Sequence, residues 1–237
     1  PFYHKLIIPF LIPFLVAMAI GPKLKWIKSN IVDKFYLVLF FAISIVLSFL
    51  IVKKFSTNLL INTILVSSAL YLFFITLRDF FIRKYSNISQ NIAHFGFSLL
   101  ILSILLNNLF SSEIITNLKV GETFTSSKTK IVFKSINQKQ EKNYKSIIAN
   151  FSIENINEKI EDLSPELRIY NQPNIVTSEA DIKTTLLSDK FIVINIVQNQ
   201  DYFNVRYQVK PFMLWIWISV ILISFGGLIS FFKREHE

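Results

Sequence analysis

This chain of 237 residues has three histidines and no cysteine, and these set most of its metal chemistry. Without a thiol it cannot exchange disulfides, supply the sulfur of a thioether or build a thiolate metal site. His94 stands in Asn91-Ile-Ala-His-Phe-Gly-Phe-Ser98, a few residues into an apolar run. Helical spacing stacks Gln90, Asn91, His94 and Ser98 on one face, which Ile101 and Leu105 continue. Such a polar stripe is expected to face the interior of a helix bundle, and ionisable groups inside membranes mark functional sites by default. An imidazole there can bond a neighbouring helix, relay protons or bind a metal. Haem iron is the natural metal partner in a cysteine-free chain, with Ser98 or Asn91 orienting the second ring nitrogen. His4, in Pro1-Phe-Tyr-His-Lys5, and His236, in the charged tail, read as interfacial or solvated side chains.

Other catalytic constellations are missing. The five glycines form no phosphate loop, and neither a nucleophile elbow nor a zinc-protease signature occurs. Glu161-Asp162 reads as a solvated turn rather than an acid–base pair.

The elements that must position His94 follow from composition. Hydrophobic residues are 52% and charged residues 17%, with 24 phenylalanines, and mean hydropathy is +0.46. A soluble domain of this size has too little interior to bury so much apolar surface, so the fold class is a polytopic α-helical membrane protein. Five apolar runs stand out, at 6–20, 35–52, 59–75, 92–109 and 212–232. The last four approach the length that crosses about 30 Å of hydrocarbon, while the first is short and carries Pro9 and Pro13. The net charge of +9 belongs mainly to membrane flanks rather than to a nucleic-acid surface. Lys23, Lys25, Lys28 and Lys34 form one cluster; Arg78, Arg83 and Lys84 form a second; Lys233 and Arg234 form a third. With five spans all three fall on one side, the cytoplasmic or matrix side. His94 then lies roughly 10 Å inward of the midplane of its span.

Residues 1–110 are thus expected to form a four-helix membrane bundle, and 210–237 a final span with a cytoplasmic tail. Between them, 111–209 changes to Lys, Asn, Ser, Thr and Glu and is expected on the periplasmic or intermembrane-space side. Alternating segments at 130–136, 144–153, 166–170, 191–196 and 202–209 read as strands of a small β-sandwich or barrel. Val120-Gly121 marks a turn, and 177–187 reads as a short helix capped by Ser178. Trp215 and Trp217 suit an interfacial aromatic belt, and Gly226-Gly227 suits close helix packing.

Taken in order, several segments resemble the C-terminal part of the CcmF/NrfE family of cytochrome c biogenesis proteins. They are Ala93-His-Phe-Gly96; the stretch from Glu166-Leu-Arg-Ile-Tyr170 to Glu179-Ala-Asp-Ile182; Arg206 through Pro211 to Trp215-Ile-Trp217; and Gly226-Gly227. Gly21-Pro22 after the first span also fits. The resemblance implies a haem lyase component that takes haem from a haem chaperone and attaches it to the Cys-x-x-Cys-His site of apocytochrome c, outside the membrane. It also implies a b-type haem in the bundle, with His94 as one axial ligand to the iron. The family's other haem ligands and its tryptophan-rich segment lie upstream and have no counterpart here. The chain is therefore expected to work with an N-terminal half, either in a longer polypeptide or as a split-gene partner, and to be inactive as a lyase alone. Expected partners are that half, the haem chaperone, apocytochrome c with its thiol-handling proteins, and lipid. The expected location is the bacterial or mitochondrial inner membrane. The residues alone leave another class open: a membrane transport or assembly-scaffold protein whose outer domain binds partners.

Overall fold

The computed structural model describes residues 2–23, 31–55, 58–82, 88–156, 159–197 and 201–234. They form two units, one helical (1–110 and 212–237) and one of strands (111–211).

The helical unit holds α1 (Phe2–Ile20), α2 (Ile31–Phe55), α3 (Leu59–Ile82), α4 (Ile88–Phe110) and α5 (Met213–Arg234). The last four are each long and apolar enough to cross a membrane, and α1 adds a shorter apolar stretch, Ile7–Ile20. Pro9 and Pro13 lie within α1 without ending it. A short 3-10 turn, Gly21–Lys23, follows. α3 is central, packing against α1, α2 and α4, while α5 packs along α4. Leu65, Val66, Ala69, Leu70, Leu72 and Ile75 of α3 are accordingly buried. Phe10, Phe35, Val38, Leu60 and Phe231 instead turn outward, as a surface meeting acyl chains should.

Several hydroxyls buried in this apolar setting bond carbonyls of their own helix, which offsets the desolvation cost of a lone polar group. Ser44 Oγ donates to the Phe40 carbonyl at 2.7 Å, Ser68 to Leu65 at 2.8 Å and Ser219 to Trp215 at 2.6 Å. α4 and α5 approach through glycine. A Cβ on Gly96 would lie 3.0 Å from Ile223 and Leu222, and one on Gly226 would lie 2.8 Å from Ala93 and from the Ser89 carbonyl oxygen. Gly227 has open space around it, so only Gly226 of the pair performs the packing role.

The strand unit is a two-sheet sandwich. β1 (Ser112–Leu118), β10 (Phe203–Pro211), β9 (Ser188–Ile196) and β8 (Asp181–Thr184) make one sheet in that order. The other runs β2 (Thr123–Thr125), β3 (Thr129–Gln140), β4 (Tyr144–Asn155), β6 (Glu166–Tyr170), β7 (Ile175–Glu179), with β5 (Glu161–Leu163) also paired to β4. Alternate residues of facing strands meet in the core: Ile131, Phe133, Phe151, Ile153, Ile192 and Val205 are buried, and Phe133 stacks on Phe151 at 4.4 Å. Gly121, at φ 87°, makes the turn after β1, a conformation that costs glycine little.

Residues 177–187 are not a helix. Thr177 and Ser178 belong to β7, 181–184 form β8, and 185–187 sit in the following turn. Pairing of Ser178 with Leu167 and of Ile182 with Phe191 supplies long-range partners that outweigh local helical spacing. Glu161 and Asp162 lie in a strand rather than a turn. Glu161 lies 3.1 Å from the nearly buried Lys190 ammonium and 3.5 Å from that of Lys183, and Asp162 accepts a 2.7 Å bond from Lys134. These carboxylates are structural ion-pair partners.

Candidate haem-ligand site

His94 is the seventh residue of α4 and is half-buried. α4 holds it by two neighbouring contacts. Ala93 lies under Gly226 of α5, and Phe95 packs against Phe73 and Phe80 of α3, with ring centroids 5.8 and 5.5 Å away. One turn further on, Ser98 is fully buried, and its hydroxyl meets Thr76 Oγ1 at 2.8 Å and the Phe95 carbonyl at 2.8 Å. Asn91 is buried too, and its Nδ2 donates to the backbone carbonyl of Asp79 at 3.3 Å. The polar stripe therefore fastens α4 to α3. Both residues expected to orient the imidazole bond α3 in this way.

Beside His94 is a recess lined by Met18 and Ala19 of α1, Thr76 and Asp79 of α3, and Gln90 and Asn91 of α4. Its enclosed volume is about 10 Å³, room for about one water. Asp79 lies within electrostatic reach of His94, and its neighbour Arg78 stacks over the Tyr36 ring at 3.6 Å. The apolar run 59–75 leaves Arg78 and Asp79 in the connection after the third span. Both lie inside α3, which continues to Ile82 instead of stopping at Ile75. The signal was present: Asp79 is the one acidic residue in α3.

The imidazole is a sound donor for iron, but the closed recess is far too small for a porphyrin. Were His94 to hold an iron, the porphyrin would lie outside this recess and its other contacts would come from other segments. His4 lies in α1 fifteen residues before Ala19, about 22 Å along the helix from the recess. His236 lies outside the described residues. Among the described residues no group of three or more metal-binding side chains occurs. Along α4, His94 is about 24 Å from Phe110, the last residue before the sandwich.

Comparisons with known proteins agree with this architecture. A family model described as "CcmF C-terminal beta-sandwich" matches residues 109–211. The cytochrome c-type biogenesis protein CcmF of Haemophilus influenzae is 24% identical over 100% of this chain and 39% of its own length. That of Escherichia coli is 22% identical over 100% of this chain and 38% of its own. A solved structure described as "Cytochrome c Heme Lyase CcmF" superimposes with a TM-score of 0.72 at 17% identity, covering 96% of this chain and 40% of that one. The chain thus spans about two fifths of the length of these relatives. With the sandwich matched by the family model, the whole chain aligned in order and the fold shared, the chain is similar throughout to the C-terminal part of the CcmF/NrfE family of cytochrome c biogenesis proteins.

Proposed function

We propose that the chain is the C-terminal portion of a cytochrome c maturation haem lyase, with His94 as one axial ligand of a b-type haem in the membrane. The observation that carries this reading is a half-buried imidazole in an apolar bundle, on a helix packed through Ala93 against Gly226 of α5 and through Phe95 against Phe73 and Phe80 of α3. Bound haem would supply an iron that takes an imidazole nitrogen and a redox couple tuned by burial. This chain's residues would do the positioning. His94 fills one coordination position, the Ser98–Thr76 bond fixes the rotation of α4 against α3, and the aromatic wall of Phe73, Phe80 and Phe95 excludes water. The N-terminal half would provide the second ligand and the haem-receiving surface. Haem arriving from a haem chaperone would be the substrate, joined to the thiols of apocytochrome c. The sandwich would face that protein and its thiol-handling partners on the periplasmic or intermembrane-space side of a bacterial or mitochondrial inner membrane.

Reassembled with its upstream portion, the chain should carry a low-spin Soret spectrum and mature cytochrome c; expressed alone, it should do neither. His94→Ala should lose bound haem or turn its spectrum high-spin, whereas His4→Ala should leave spectrum and maturation unchanged. A full low-spin spectrum at unaltered stoichiometry in His94→Ala would sink the assignment. The competing transport or scaffold reading, in which the water-sized recess relays protons, is favoured if the assembled protein shows no Soret band.

A further inference from the structure

Leu186 and Leu187 occupy the two central positions of the turn that closes the β8–β9 hairpin, and they are 71% and 68% exposed. The turn holds them out firmly. Thr185 donates from its backbone N–H and its hydroxyl to the Ser188 carbonyl at 2.9 and 2.7 Å, and the Ser188 N–H donates to Thr185 Oγ1 at 3.1 Å. Central turn positions ordinarily take Gly, Pro, Asn, Asp or Ser, each for a conformational reason. Leucine offers no such advantage, so apolar surface is displayed without a local cause.

The sheet register indicates what covers it. Ser188 pairs with Pro211, the last residue of β10, and α5 starts two residues later at Met213. Ser112, which pairs with Val209, follows α4 after one intervening residue. The leucine turn therefore projects beyond the same end of the sheet from which both connections leave for the spans. Leu186 and Leu187 sit side by side one step past the Thr185–Ser188 closure, about 3 Å beyond it, at the edge where the chain leaves β10 through Pro211. Exposed leucines at the end of the sheet from which both connections leave suit acyl chains.

We propose that the Leu186–Leu187 tip dips into the lipid interface and anchors the sandwich to the membrane surface beside its two connections. The cysteine-free chain allows a clean test. L186C, L187C and K142C, the last at the opposite hairpin tip between β3 and β4, are each labelled with an environment-sensitive fluorophore. Each is reconstituted in vesicles of phosphatidylethanolamine and phosphatidylglycerol, with and without the upstream portion. The two leucine sites should emit to the blue and lose most of their emission to nitroxide-bearing lipids, while K142C should lose almost none and respond to aqueous iodide instead. Iodide quenching at the leucine sites equal to that at K142C would overturn the proposal by placing the tip in water. Shielding from both quenchers would overturn it in favour of a protein partner.

Discussion

Glu113 ties the first strand of the sandwich to the last. Its Oε1 accepts from Gln208 Nε2 and from Arg206 Nε, and these bonds, with the Gln208 one foremost, hold its carboxyl below the ordinary carboxylate value. Asp162, bonded by Lys134, and Glu166, bonded by Arg168, are lowered in the same way. Each binds a proton less readily folded than unfolded. The stability they contribute is complete above the ordinary carboxylate pKa and is lost as pH falls through the depressed folded values. The urea midpoint of the sandwich, followed by near-ultraviolet circular dichroism, should therefore drop between about pH 5 and pH 3. Glu113→Gln should have a lower midpoint at neutral pH and a shallower acid limb; an acid limb as steep as in the parent chain would count against this account. His94 was legible as a residue because an imidazole in an apolar run is conspicuous. Thr76, Asp79 and Met18 were not, because their meeting depends on how three helices are rotated against one another, which no single periodicity records.

Among the elements, α4 and α5 meet at glycine positions that differ sharply in room. Gly226→Ala would drive a methyl into Ala93 and the Ser89 carbonyl, whereas Gly227→Ala would meet nothing within 4 Å. Gly226→Ala should destabilise the helix pair by about 1–3 kcal/mol and lower the thermal midpoint in detergent, with Gly227→Ala close to the parent. Equal effects from the two would mean that α5 does not pack on the Gly226 side. Because Ala93 precedes His94, Gly226→Ala should also disturb the spectrum attributed to His94. Helices and most strands were readable because each buries one periodic stripe or face. Residues 177–187 were not, since Ser178 and the leucines at the end of that segment satisfy local helical rules. Only the distant partners Leu167 and Phe191 draw the chain into sheet edges.

For the whole molecule, the distribution of lysine and arginine predicts an orientation that labelling can check. Lys139→Cys, at the far end of β3, should react with an impermeant maleimide in intact cells or mitoplasts, and Lys28→Cys should react only after permeabilisation. The reverse pattern would invert the topology and move the proposed attachment chemistry to the wrong side. The inserted sandwich was visible as a change of composition and alternation, but its two-sheet pairing was not. β1 lies beside β10, and β9 beside both β10 and β8, an order in which the earliest strand waits for the latest.

That order has a geometric consequence for the helices. Ser112, which opens the sandwich, and Val209, two residues before its end, are cross-strand neighbours, so their Cα atoms stand about 5 Å apart. To α4 and α5 the hundred residues between them are a closed excursion, spanning no more distance than a tight turn. The domain can therefore grow, shrink or be exchanged as a cassette among relatives while the separation demanded of the two helix ends stays the same.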